Sequence, residues 1–204
     1  MPDIRAHWPE RLAGHTDLLE RLIEAYDEPR RGYHALTHLT EVFARIEEIL
    51  SSGPDDLDRD AVLLAAWFHD AVYEDHGDNE ERSAVLAERE LTGAGADRAL
   101  VDEVARLVRL TEHHRVLDHD LPGAVLCDAD LAILAADGER YASYVAGVRY
   151  EYAAVPYEDF RRGRAQVLRS LLEAPTLFAT SYAHEHWEAA ARANLTRELA
   201  DLES

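Results

Sequence analysis

Apolar residues recur at three- and four-residue spacing along nearly the whole chain, which is the period of an amphipathic helix. About eight segments follow this period, and no segment shows the convincing alternation of a β-strand. The sequence therefore predicts an all-α fold. The predicted helices cover about 17–26, 36–50, 57–73, 78–93, 97–114, 139–153, 156–172 and 182–202. A loop is predicted at 118–123, and the apolar segment LCDADLAIL follows it, before the helix at 139–153.

No internal repeat, low-complexity tract or long linker divides the 204 residues, so we expect one compact multi-helix domain over 1–204. Within it we expect a metal-site core at about 33–152 and C-terminal helices at about 156–203. Asp78 followed by Glu81 has the form of a capping box at the start of the fourth helix.

The chain carries 41 acidic and 21 basic residues, a formal net charge of −20. Nucleic-acid binders need a basic surface, and anionic membranes attract cations, so we expect neither duplex nucleic acid nor a membrane as a partner. The one cysteine, Cys127, fits a reducing compartment. Without an apolar signal segment or an apolar run of about 20 residues, the sequence predicts a cytoplasmic protein, either a monomer or a homodimer.

Four short segments hold ionisable residues that apolar packing does not explain. They are 33–38, with His34 and His38 four residues apart, the pair His69-Asp70, the segment 111–114 and the segment 127–131. The His-Asp pair closes the most apolar helix, where burial is costly unless the pair is neutralised or binds a metal. Imidazole and carboxylate ligands together suit Mn, Fe, Ni, Co or Zn better than Ca, so we expect one divalent transition metal.

The order H…HD…D over successive helices resembles the HD-domain superfamily of metal-dependent phosphohydrolases. The resemblance extends to YHALTH, AAWFHDAVY, NEERSA, TEHH, LCDADLAIL and VRYEY, which are similar to the blocks of a bacterial subfamily described as predicted metal-dependent HD phosphohydrolases. These blocks span 33–152. The resemblance implies an HD-domain-like helical bundle and does not name a substrate.

The resemblance also implies the metal ligands. His38 matches the first histidine ligand, and His69 and Asp70 match the pair that gives the superfamily its name. Asp130 matches the last aspartate ligand, with Asp128 as the alternative or as a residue supporting the ligands.

Three residues take catalytic roles in this interpretation. His34 falls where related cyclic-nucleotide phosphodiesterases keep a histidine that protonates the leaving oxygen. Glu74 and Asp75 lie near the position at which relatives keep an acidic residue to orient the attacking water. The alternative is that these two carboxylates are solvent-exposed residues at a helix end without a catalytic role.

Substrate phosphate would be bound by arginine, whose guanidinium contacts phosphate oxygens in bidentate fashion. Arg82, Arg149 and Arg115 are the candidates, and Arg82 and Arg149 lie in family-like blocks. The alternative for each arginine is a surface ion pair with an acidic residue, which the sequence favours for Arg115. His114 is a candidate phosphate contact or a ligand to a second metal. We therefore expect hydrolysis of a phosphoester of a small molecule or nucleotide by metal-activated water. The alternative is a metal-containing ligand sensor or interaction module without turnover.

Overall fold

The computed structural model describes residues 3–53, 56–74 and 77–204. Over these residues it contains helices and no strand, which confirms the predicted all-α class. None of the described helices is both long enough and apolar enough to cross a bilayer. The helices are α1 Thr16–Tyr26, α2 Leu36–Ser51, α3 Arg59–Phe68, α4 Asn79–Gly93, α5 Arg98–Leu110, α6 Leu121–Leu131, α7 Gly138–Glu151, α8 Tyr157–Glu173 and α9 Ser181–Glu203, with 3-10 turns at Ile4–His7, Glu10–Leu12 and Ala132–Ala135.

The central helix of the bundle is α3. Every residue from Ala61 to Phe68 is buried, and α3 contacts α2, α4, α5 and α6. A helix surrounded in this way needs no polar face, which explains its nearly continuous apolar sequence. Each large side chain here, such as Trp67, stabilises the fold by about 1.5–3 kcal/mol through burial.

The predicted extension of this helix to residue 73 is wrong, because α3 ends at Phe68. Side chains from an earlier part of the chain bind the backbone beyond that point. The Asp70 N–H donates to the Tyr26 hydroxyl at 3.1 Å, and the buried Arg31 guanidinium donates to the Asp70 carbonyl at 2.7 Å. Since these contacts satisfy the backbone outside a helix, the chain turns and places the His-Asp pair at the end of α3.

Two further boundaries differ from the prediction. The fifth helix stops at Leu110, and His114 adopts a left-handed backbone conformation with φ of 50°. Helix α6 begins at Leu121, inside the segment 118–123 that was predicted as a loop. The Asp120 carboxylate accepts the Gly123 N–H at 3.1 Å and so caps a helix start that its proline and glycine content obscured.

The predicted capping box at the start of α4 is also wrong. Asp78 does precede the helix, but its side chain makes no capping hydrogen bond. Glu81 instead accepts two hydrogen bonds from Arg109 of α5, at 2.6 and 2.8 Å. The ion pair between helices has replaced the local contact.

The C-terminal helices pack onto the same core as α3. Helix α9 contacts α8 and the 3-10 turn at 132–135. Trp187 and Leu195 of α9 belong to the same buried cluster as Trp67. Arg164 of α8 forms a buried ion pair with Glu198 of α9 at 2.7 Å, which fixes these two helices against one another.

Candidate metal centre

Packing of α2, α3 and α6 brings together the four predicted metal ligands. His38 lies in the first turn of α2, His69 and Asp70 follow α3, and Asp130 lies in the last turn of α6. His38 Nε2 is 3.1 Å from His69 Nε2 and 3.2 Å from Asp130 Oδ1, while His69 Nε2 is 3.2 Å from Asp70 Oδ2. We call these four residues the His-Asp cluster.

The spacing of these donor atoms fits a shared ion. Nitrogen and oxygen ligands about 2.1 Å from one ion lie about 3.0–3.4 Å apart at right-angled or tetrahedral positions. Two further donor pairs are only slightly wider, with His38 Nε2 3.6 Å from Asp70 Oδ2 and His69 Nε2 3.7 Å from Asp130 Oδ1. The ligand atoms of His38, His69 and Asp130 could therefore hold a metal ion.

A backbone contact orients His69 for ligation. Its Nδ1 lies 2.7 Å from the Ala66 carbonyl oxygen, so Nδ1 is the nitrogen that carries hydrogen and donates it. When Nε2 gives up its proton, the ring presents the Nε2 lone pair to the rest of the cluster. Metal-binding histidines are commonly held by such a contact on their other nitrogen.

Burial makes the charges of the cluster depend on one another. The His38 and His69 side chains are each 1% exposed, and those of Asp70 and Asp130 are 12% and 16% exposed. Burial opposes a charge on His69, but the Asp70 and Asp130 carboxylates outweigh it and raise the pKa of His69 to about 9. Burial likewise opposes charge on Asp70, yet the neighbouring histidines hold its pKa below its ordinary value. A protonated His69 thus balances the charge of these carboxylates, and a divalent ion that displaced its Nε2 proton would supply the same compensation.

The structure separates the two aspartates that the sequence left as alternatives. Asp130 Oδ2 accepts a hydrogen bond from His114 Nε2 at 2.8 Å, and Oδ1 faces His38. Both oxygens of Asp128 instead accept backbone N–H groups, from Ala179 at 2.8 Å and Thr180 at 2.7 Å. The geometry therefore favours Asp130 as the ligand and gives Asp128 a structural contact elsewhere.

His34 is held by a residue that the sequence interpretation missed. Glu151, at the end of α7, has a side chain only 2% exposed. Its Oε1 accepts the backbone N–H groups of residues 32, 33 and 34 at 2.8–2.9 Å, and its Oε2 lies 2.8 Å from His34 Nδ1. The C-terminal end of a helix carries a partial negative charge, which disfavours a glutamate in the last turn. The position of Glu151 in VRYEY was therefore the sequence signal that could have pointed to this residue.

The other predicted site residues lie outside the cluster. Glu74 pairs with Arg82 at 2.7 Å, so the proposed water-orienting carboxylate and the proposed phosphate-binding guanidinium contact each other. Arg149 donates to the Tyr152 carbonyl at 2.5 Å and packs over the ring of Phe160. Asp75 lies outside the described residues.

A cleft of about 740 Å³ adjoins the cluster, and His34, His114 and Asp130 all line it. Tyr33 lines it too, and its buried hydroxyl has no hydrogen-bond partner among the residues that the structure describes. A smaller pocket of about 200 Å³ lies beside His38 and the ion pair between Glu41 and Arg140. Small-molecule sites occupy about 300–1,000 Å³, so the larger cleft is the candidate substrate site.

Comparisons with protein-family models, with curated proteins and with solved structures find no match for this chain.

Proposed function

We propose that the protein is a metal-dependent phosphohydrolase that cleaves a phosphoester of a small molecule or nucleotide. The convergence of two buried imidazoles, 3.1 Å apart, with two carboxylates that each lie 3.2–3.7 Å from the imidazole nitrogens carries the proposal. The resemblance of the same residues to the HD pattern supports it. A bound Mn, Fe, Ni, Co or Zn ion would supply a Lewis acid and lower the pKa of water towards ~7.

His34 would donate the proton that the leaving oxygen needs. Burial lowers its pKa, but the charges of Asp70 and Glu151 outweigh burial and raise it above the ordinary value. A histidine with a raised pKa is protonated over more of the neutral range, as a general acid requires. Because Glu151 binds Nδ1, the ring has one fixed orientation at the cleft that it lines.

Glu151 acts on this chemistry as a positioning residue. It binds the backbone around His34 as well as the ring, so it holds both ends of that side chain. The Tyr73 hydroxyl also donates to Glu151 Oε2, at 3.0 Å. These contacts fix the carboxylate itself, which is the condition for orienting a second group.

The test is metal analysis of protein purified without chelators, together with a panel of phosphoesters. We expect about one transition metal per chain and metal-dependent release of phosphate. Metal at about 100 times its Kd should stabilise the fold by about 2.7 kcal/mol, which for a chain of this size is roughly 5–10 °C in Tm. Asp130→Asn, which keeps the side-chain volume, should lose metal, turnover and the Tm shift together. His184→Ala, at a histidine 59% exposed on α9, is the control and should lose none of them.

Two results would change the proposal. Stoichiometric metal without turnover on any phosphoester would favour the sensor or interaction module over the enzyme. No bound metal, and no Tm shift on adding any of the five ions to folded wild-type protein, would contradict the metal centre itself.

A further inference from the structure

The walls of the cleft combine a polar part beside the His-Asp cluster with a larger apolar part. His34, His114 and Asp130 form the polar part. The apolar part comes from the 3-10 turn at 132–135, from α7 and α8, and from the loop between those two helices. Its side chains include Leu134, Val148, Val155, Phe160, Val167 and Leu171.

The cleft offers little to bind a chain of several phosphates. Its lining holds two arginines against three carboxylates. One of the arginines, Arg164, is already bound by Glu198 at 2.7 Å and by the Tyr144 hydroxyl at 2.9 Å. The other, Arg115, is exposed. A polyphosphate would meet net negative charge here, whereas one phosphate can lie beside the cluster.

We infer that the substrate is a phosphate monoester of an apolar alcohol, with its phosphate beside the His-Asp cluster and its apolar group between α7 and α8. This inference rests on the proposed hydrolase function. The oxygen of water bonds to phosphorus as the ester P–O bond breaks, and the leaving oxygen takes the proton from His34. The attacking water releases one proton to solvent, and His34 regains a proton from solvent. The products are the apolar alcohol and inorganic phosphate.

The test is calorimetric binding of n-alkylphosphonates, which cannot be hydrolysed, to the Mn²⁺-loaded protein. Affinity should rise about two- to fourfold per methylene from methyl- to octylphosphonate, until the apolar wall is covered.

Two variants probe the apolar wall at positions that the fold tolerates. Val167→Asn, at a side chain 51% exposed on α8, should reduce the gain per methylene, while Val85→Asn, 50% exposed on α4, is the matched control. Gly163 of α8 also lines the cleft, and a side chain added there meets nothing within 4 Å. Gly163→Leu should therefore fill the cleft and weaken octylphosphonate binding at least tenfold relative to methylphosphonate.

The outcomes separate this inference from the proposed function. Equal affinities for methyl- and octylphosphonate would overturn the apolar substrate. An equal reduction of the gain in affinity per methylene in Val167→Asn and Val85→Asn would also overturn it. So would a dimer in light scattering that Val167→Asn dissociates, because a second copy would then cover the cleft. Chain-length-dependent binding without hydrolysis of octyl phosphate would overturn the hydrolase and leave the binding site standing. Hydrolysis of short-chain or nucleotide phosphoesters, with no gain in affinity per methylene, would overturn the apolar substrate and leave the hydrolase function standing.

Discussion

Replacing Glu151 should destabilise the fold by an amount that depends on which of its contacts the new side chain keeps. One carboxylate oxygen accepts three backbone N–H groups, and the other binds His34 and Tyr73. Alanine removes all of these contacts. Glutamine retains an oxygen for the backbone groups but presents N–H where His34 and Tyr73 need an acceptor.

The magnitude follows from the number and burial of the contacts. A hydrogen bond to a charged group contributes about 1.5–3 kcal/mol, and the values do not add fully. The N–H of Gly32 is exposed and can turn to water, whereas those of Tyr33 and His34 are partly buried. We therefore expect Glu151→Ala to lower the free energy of unfolding by about 3–5 kcal/mol and Glu151→Gln by about 1–2 kcal/mol.

Urea unfolding followed by helical circular dichroism at pH 7 measures both losses. On thermal unfolding, the alanine variant should lower Tm by roughly 10 °C for a chain of this length. Glu139→Gln, at an exposed glutamate at the other end of α7, is the control and should change stability by no more than about 0.5 kcal/mol. If Glu151→Ala lowers the free energy of unfolding no more than Glu139→Gln does, the Glu151 carboxylate does not hold the 32–34 segment. Its proposed role in orienting His34 would then be refuted as well.

Three further predictions concern the rest of the fold. Gly32→Ala should destabilise by about 2 kcal/mol or more in urea unfolding, since a Cβ there would strike the backbone of α7, whereas Gly138→Ala meets nothing and should stay within about 1 kcal/mol of wild type. Burial raises the pKa of Asp120, but Arg106 outweighs it and holds that pKa below its ordinary value. The carboxylate therefore stabilises the fold above its unfolded pKa of about 4, and this contribution is lost progressively as pH falls from there through the lower pKa of the folded state. The urea midpoint of Asp120→Asn should thus lie below that of wild type at pH 7, and a gap that does not narrow by pH 3.5 would count against this assignment. Burial raises the pKa of the Cys127 thiol, so a thiol reagent at pH 7 should react at least about 10³-fold more slowly with the native chain than with the urea-unfolded chain, and rapid native labelling would contradict its burial.

Apolar periodicity was enough to predict most helices, because α1, α2, α7, α8 and α9 each bury one face and their pattern is local. It failed at the end of α3. There the deciding groups are the Tyr26 hydroxyl and the Arg31 guanidinium, which lie some 40 residues earlier in the chain. A local sequence pattern cannot predict a contact with a side chain from a distant part of the chain.

The same distinction applies to the site. His38, His69, Asp70 and Asp130 could be named from their order along the chain, and the structure brings them together, although their role as ligands stays a prediction. The position of Glu151 at a helix end marked it as unusual, but its contacts could not be predicted, because the backbone groups it binds lie 117 to 119 residues away. Its role exists only once α7 lies against the segment before α2.

The two aspartates of α6 have a consequence for the end of the chain. Residues two positions apart on a helix point about 200° away from each other, so Asp128 and Asp130 lie on nearly opposite sides of α6. Asp128 is anchored by the backbone at 179–180, immediately before α9. The rotation of α6 about its own axis is thereby set from the C-terminal segment, and that rotation determines where the Asp130 carboxylate points. Removing the residues from 179 onward would remove this anchor, and the effect would extend to the far side of the helix, where the Asp130 carboxylate lies.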